Sequence, residues 1–124
     1  GLPPGDYSIK GFETRLAIER KSASDAYSTF CHDRDRFERE LARLQVMEFA
    51  AVVIESCWPA LIHNPPPHTK FSPKSFFRSV IAWQVRFPRV QWWACETRNF
   101  AERVTYRLLE RFYLDEAERI KEAG

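Results

Sequence analysis

Phe49-Ala50-Ala51-Val52-Val53-Ile54-Glu55 is a continuous apolar run rich in β-branched side chains, closed by an acid. Such a run predicts a strand covered on both faces, because a strand with one wet face alternates polar and apolar residues. On its N-terminal side Phe37, Leu41 and Leu44 recur at helical spacing, so a helix is expected from about Asp33 to Val46, with Arg36, Arg39 and Arg43 off its buried stripe. Ser24 offers an N-cap for a shorter helix reaching about Cys31, with Asp25 in its first turn. Further back, Thr14–Lys21 alternates as a strand. Asp6–Ile9 reads as its hairpin partner, and Gly1–Asp6 reads as a turn broken by Pro3, Pro4 and Gly5.

Downstream, Cys57–Ser72 carries Pro65, Pro66 and Pro67 and is expected to be a stiff, extended loop. Ser72-Pro73 is a helix start, as N-cap and first helical residue, and Pro88 ends that helix after about Arg86. Val90–Cys95 is expected to be a second buried strand. Thr97 caps a final helix to about Lys121, with Phe100, Val104, Leu108 and Phe112 on one face. Helices alternating with strands after a hairpin predict an α/β fold, a single three-layer domain with a mixed central sheet flanked by helices.

The 124 residues fit one domain, and 44% apolar with 29% charged residues is a globular composition. No apolar run approaches the ~20 residues of a membrane helix, and no secretory leader is read at the start. Cys31, Cys57 and Cys95 are odd in number and far apart, which suggests neither a disulfide framework nor a zinc ribbon. The expected setting is reducing, cytoplasmic or nuclear. The formal net charge is only +2, but the stretch between Glu55 and Glu96 holds no acid while carrying Lys70, Lys74, Arg78, Arg86 and Arg89. That local basicity suits either a phosphate-binding surface or an ordinary solvated face.

The chemistry concentrates in Asp6, Glu19 and Lys21. Glu19 and Lys21 are two apart on one strand and so project to one face, and Asp6 on the neighbouring strand can approach them. Two carboxylates beside an ammonium suit a hard divalent cation such as Mg2+ or Mn2+, with the lysine placed to handle a water or offset phosphate charge. Acid, gap, acid-x-lysine is the PD-(D/E)xK nuclease pattern. Alone it is better read as a solvated strand edge with an incidental ion pair.

The surrounding residues add specificity. Gly5-Asp6-Tyr7, then Ile18-Glu19-Arg20-Lys21-Ser22, then Asp25, resembles the GD...ERK-x-x-x-D signature of the XPF family of structure-specific nucleases, which includes the archaeal Hef nuclease. Arg36-Phe37, Glu40-Leu41 and Arg43-Leu44 are similar to that family's R-x-x-x-(Q/E)-x-x-R-L helix. The resemblance implies a metal-dependent endonuclease acting on branched or duplex DNA, in repair or recombination. Asp6 and Glu19 would be metal ligands and Lys21 the catalytic lysine. Arg20 would support the phosphate or brace the site, Asp25 would complete the acidic cluster, and Arg36 would contact the backbone phosphate or hold the site residues from behind. The family's usual opening strand, bearing D-x-R-E, has no counterpart before Gly1, so residues 1–124 are expected to be such a domain without that strand. Family nuclease domains commonly pair, so a homo- or heterodimer is expected. Two alternatives stay open: an inactive DNA-binding or dimerisation module of the same fold, and a Holliday-junction-resolvase-like nuclease.

Other signals carry less. Lys70, Lys74 and Arg78 are candidate DNA contacts, with Lys74 and Arg78 one turn apart near a helix start. Cys57, His63 and His68 match no standard zinc spacing. Trp58, Trp83, Trp92 and Trp93 could stack on bases, but Trp92 and Trp93 point to opposite faces of a strand, so at least one belongs to the core. The four glycines never cluster, which rules out a glycine-rich phosphate loop.

Overall fold

A computed structural model describes residues 5–124. Of the turn expected over Gly1–Asp6, residues 1–4 lie outside the described part. The described chain runs β1 (Gly5–Tyr7), β2 (Leu16–Lys21), α1 (Ala23–His32), α2 (Arg34–Gln45), β3 (Phe49–Ile54), α3 (Trp58–His63), α4 (Pro73–Arg86), β4 (Val90–Ala94) and α5 (Arg98–Ala123). The strands lie side by side in chain order, with β1–β2 antiparallel and both other pairs parallel.

Each parallel step needs a crossover, and helices supply it. The α1–α2 and α3–α4 crossovers share one core with the sheet, in which Phe30, Phe37, Leu41, Val52, Ile54, Phe76 and Trp83 are all buried. The opposite face carries α5, packed through Ala101 and Val104 onto Ile18, Ala51 and Val53. The expected three-layer α/β architecture is therefore present. β3 is buried nearly end to end, as its apolar run predicts.

Four local readings change. The N-cap of α1 is Ser22, not Ser24; its hydroxyl accepts from the Asp25 backbone N–H at 3.1 Å. The loop after Cys57 is not wholly extended, because Trp58–His63 forms α3, whose Leu61 is buried and whose Leu61 carbonyl accepts from the Tyr27 hydroxyl at 2.6 Å. β4 is not buried on both faces. Gln91 and Trp93 lie on the face where α5 packs onto β2 and β3, and so are exposed, while Trp92 on the other face packs on the core. On α5 the packed face is Ala101, Val104, Thr105 and Leu108, while Phe100 stands 49% exposed and Phe112 meets Phe12 edge-on. No helix is long and apolar enough to cross a membrane among the described residues.

The far end of α5 is tied down by charge. Glu116 is buried and accepts from Arg15, 2.8 Å away, and from Arg119. These two guanidiniums, Arg119 first, hold the Glu116 carboxyl down at about 2, against an ordinary 4.5. A depressed carboxylate adds stability above its unfolded pKa and loses it as the pH falls through its folded value. Urea midpoints of the wild type and Glu116→Gln are therefore expected to converge between about pH 4.5 and pH 2. A gap constant across that range would show that the pair contributes nothing.

Candidate active site

The hairpin register builds the site. Asp6 sits directly opposite Glu19 on the paired strands, and Lys21 lies two residues on, on the same face. The α2 helix crosses this end of the sheet, and Glu40, one turn after the buried Phe37, enters from above. Carboxylate oxygens of Asp6, Glu19 and Glu40 all lie within 4.8 Å of one another. Among the described residues no other three His, Cys, Asp or Glu side chains converge in this way, and Cys57, His63 and His68 form no such group. The cleft is about 220 Å³ and is lined by Asp6, Glu19, Lys21, Thr29, Arg36, Phe37 and Glu40.

Lys21 is held from several sides. Its Nζ is 3.0 Å from Glu19 Oε1, with the two side chains only 11% and 13% exposed. It also donates to Thr29 Oγ1 at 3.5 Å and lies 5.5 Å from the centre of the Phe37 ring. Burial pulls the ammonium below its ordinary pKa, partly offset by the charges of Asp25 and Asp6. Asp6 moves the other way. Burial and then repulsion from Glu40 raise it, against the pull of Arg43 and Lys21. Arg43 bridges this pair, 3.7 Å from Asp6 and ion-paired with Glu40. A carboxyl and a half-desolvated lysine displaced from their usual pKa values in one cleft, here Asp6 and Lys21, are typical of functional sites.

The remaining candidates divide. Asp25, exposed in the first turn of α1, stays outside the cleft lining but acts on Lys21 through its charge. Arg36 is 73% exposed, pairs with Asp33 at 3.0 Å and forms part of the cleft wall. Of the two roles expected for Arg20, its position leaves bracing and not phosphate contact. Strand alternation sends it to the α5 side of the sheet, away from any phosphate at Asp6 and Glu19. There it is fully buried, with Nε 3.0 Å from Glu55 Oε2, one terminal nitrogen 3.8 Å from Glu102 and its guanidinium over the Tyr7 ring. It braces β2 from behind. Lys70, Lys74 and Arg78 are exposed but line no part of this cleft. Trp83 is core, and Trp93 alone of the β4 pair is open to solvent at 38%.

Glu40 is the site residue to which sequence reasoning gave no role. The signal was present: Glu40 falls at i+3 from Phe37 and beside Leu41, so it is a carboxylate on the edge of an apolar helical stripe.

Comparison with known proteins bears on the fold and the family. The chain aligns with a solved structure described as XPF from Aeropyrum pernix in complex with DNA, at TM-score 0.61 and 19% identity, over 93% of this chain and 52% of the other. It aligns equally well with a structure of XPF from Aeropyrum pernix described without DNA, at 18% identity, over 98% of this chain and 55% of the other. The chain thus spans about half the length of these structures, and the likeness shows a shared fold. No significant match appears among curated proteins. The model of the ERCC4 domain matches residues 1–108, most of the sequence, and the chain therefore belongs to the ERCC4 domain family, a family of structure-specific nucleases.

Proposed function

We propose that this domain is a divalent-metal-dependent endonuclease that hydrolyses phosphodiester bonds in branched or otherwise structured DNA. The convergence of Asp6, Glu19 and Glu40 beside a half-desolvated Lys21 carries the reading. The donor set fits Mg2+ or Mn2+: all three groups are hard carboxylate oxygens, and the pKa of Asp6 is raised by burial first and then by repulsion from Glu40, which a cation would relieve. Held by these three residues, such an ion would supply Lewis-acid chemistry at the scissile phosphate.

The chain's own residues supply the rest. Lys21, its ammonium destabilised by burial, is suited to take a proton from an attacking water at Nζ and then, charged, to offset negative charge on the reacting phosphate. Thr29 and Glu19 fix the direction of Nζ, and Asp25 keeps its proton affinity from falling further. Arg36, at the cleft wall, is placed to grip a neighbouring phosphate, and Arg43 keeps Asp6 and Glu40 from turning away. DNA as the substrate is supported by the family and by the DNA-bound neighbour of the same fold.

The test is cleavage of labelled flap, fork and plain duplex DNA with Mg2+, Mn2+ or EDTA, for wild type and Glu19→Ala. Metal-dependent cutting is expected, with at least a ~100-fold loss in the variant and an unchanged fold. Full activity in Glu19→Ala would sink this mechanism. DNA binding without cutting under any divalent metal would favour a non-catalytic module instead.

A further inference from the structure

The α1 helix presents two polar stripes. Asp25 and Thr29 belong to the catalytic side, through Lys21 and the cleft wall. Ser24, Ser28 and His32 recur at i, i+4 and i+8, about 100° further round the helix, and all three are exposed. They form one wall of a separate cleft of about 360 Å³. The other wall is the loop after α3, with Pro66, Pro67, His68, Thr69 and Lys70. No acid lines this cleft, and none occurs anywhere in the sequence between Glu55 and Glu96.

Two features make the second wall more than a passing loop. Consecutive prolines restrict its backbone. His68 is held at φ 65°, a left-handed conformation that side chains with a Cβ seldom adopt and that tends to persist where surroundings enforce it. The Tyr27 hydroxyl is already committed to the Leu61 carbonyl, so Tyr27 offers this cleft only its ring. The free polar chemistry is hydroxyl, imidazole and ammonium. All are short donors suited to the oxygens of a phosphodiester.

We propose that this cleft is a second phosphodiester site, holding the backbone of the same nucleic-acid strand that occupies the catalytic cleft. The inference rests on the DNA reading above and deepens it. The α1 helix is the ridge between the two clefts. A helix is ~10 Å across with side chains and a strand within a duplex advances ~3.4 Å along the duplex axis per nucleotide, so with the duplex axis across the ridge the second contact falls about three nucleotides from the bond to be cut. A strand crossing α1 is thereby held on both sides of the ridge, which fixes which phosphate meets Lys21.

The experiment measures binding of labelled fork DNA by fluorescence anisotropy in EDTA across a salt series. It compares wild type, Ser28→Asp/His32→Glu, and Lys121→Glu as a control with the same total change of charge at the far end of α5. The double variant is expected to bind at least about tenfold more weakly, with a shallower salt dependence, while the control stays within about twofold. Trimming the strand on one side of the cut to fewer than about three nucleotides should weaken wild type and leave the double variant unmoved. Binding by the double variant equal to the control would overturn the second site, yet leave Glu19-dependent cleavage standing. A wild type that neither binds nor cuts DNA would overturn both readings. Displacement of DNA by polyglutamate of equal charge, as effectively as by unlabelled DNA, would overturn the nucleic-acid assignment. If the double variant fails to fold, Ser28→Ala/Lys70→Ala decides, and an unchanged affinity and salt slope there overturn the proposal.

Discussion

Replacing Lys21 by methionine is expected to slow DNA cleavage about 10²–10⁴-fold at saturating DNA, the range that a positioned proton-transfer group typically contributes. Methionine fills the same space against Phe37 and Thr29 without the ammonium, so the melting temperature in Mg2+ should stay within a few degrees of wild type. Lys21→Arg separates two roles. An arginine can hold a positive charge beside Glu19 but does not give up its proton in a protein, so it should not restore cutting. Full activity in Lys21→Arg would show that charge alone is needed. Full activity in Lys21→Met would remove Lys21 from the chemistry altogether.

The second large effect lies on the other side of the same strand. Arg20→Met is expected to destabilise the fold by about 3–5 kcal/mol, because it leaves the largely buried Glu55 without its partner and abandons the contact with Glu102. For a domain of this size that is a fall in melting temperature of roughly 10–20 °C. Arg20→Met/Glu55→Met removes both ends of the pair and should recover much of the loss, since an apolar replacement of a buried pair is often neutral. A drop of a degree or two in the single variant would show that Arg20 does not brace β2. The expected contrast is sharp for adjacent residues: substitution at position 20 lowers stability, and substitution at position 21 lowers cleavage.

The fold was largely legible because its signals are local. The run Phe49–Ile54, the Ser72-Pro73 start and the Thr97 cap each state their element within a few residues. What escaped depended on phase or on distant partners. Ser22 and Ser24 both suit an N-cap, and the Ser22-x-x-Asp25 spacing, a capping-box pattern, is what distinguishes them. The α3 helix is six residues in a proline-rich stretch, too short for a period to appear. It is held by the Tyr27–Leu61 bond, 34 residues apart in sequence. On α5 the face chosen from Phe100 and Phe112 was out of phase, because small side chains, Ala101 and Thr105, let that helix approach the sheet. Asp6, Glu19 and Lys21 were readable from strand alternation, and Lys21 and Glu19 do meet at 3.0 Å. Glu40 was visible only as part of the helix motif and the edge of an apolar stripe; its place beside them depends on the crossing of α2 over the sheet.

The alternation of β2 has a wider consequence. Ala17, Glu19 and Lys21 face the α1–α2 layer, while Ile18 and Arg20 face α5. Chemistry and cohesion are thus printed on opposite sides of one ribbon, and a single base change can silence the first without touching the second. A scaffold of this kind can therefore lose the chemistry of one face while keeping the fold that the other face secures.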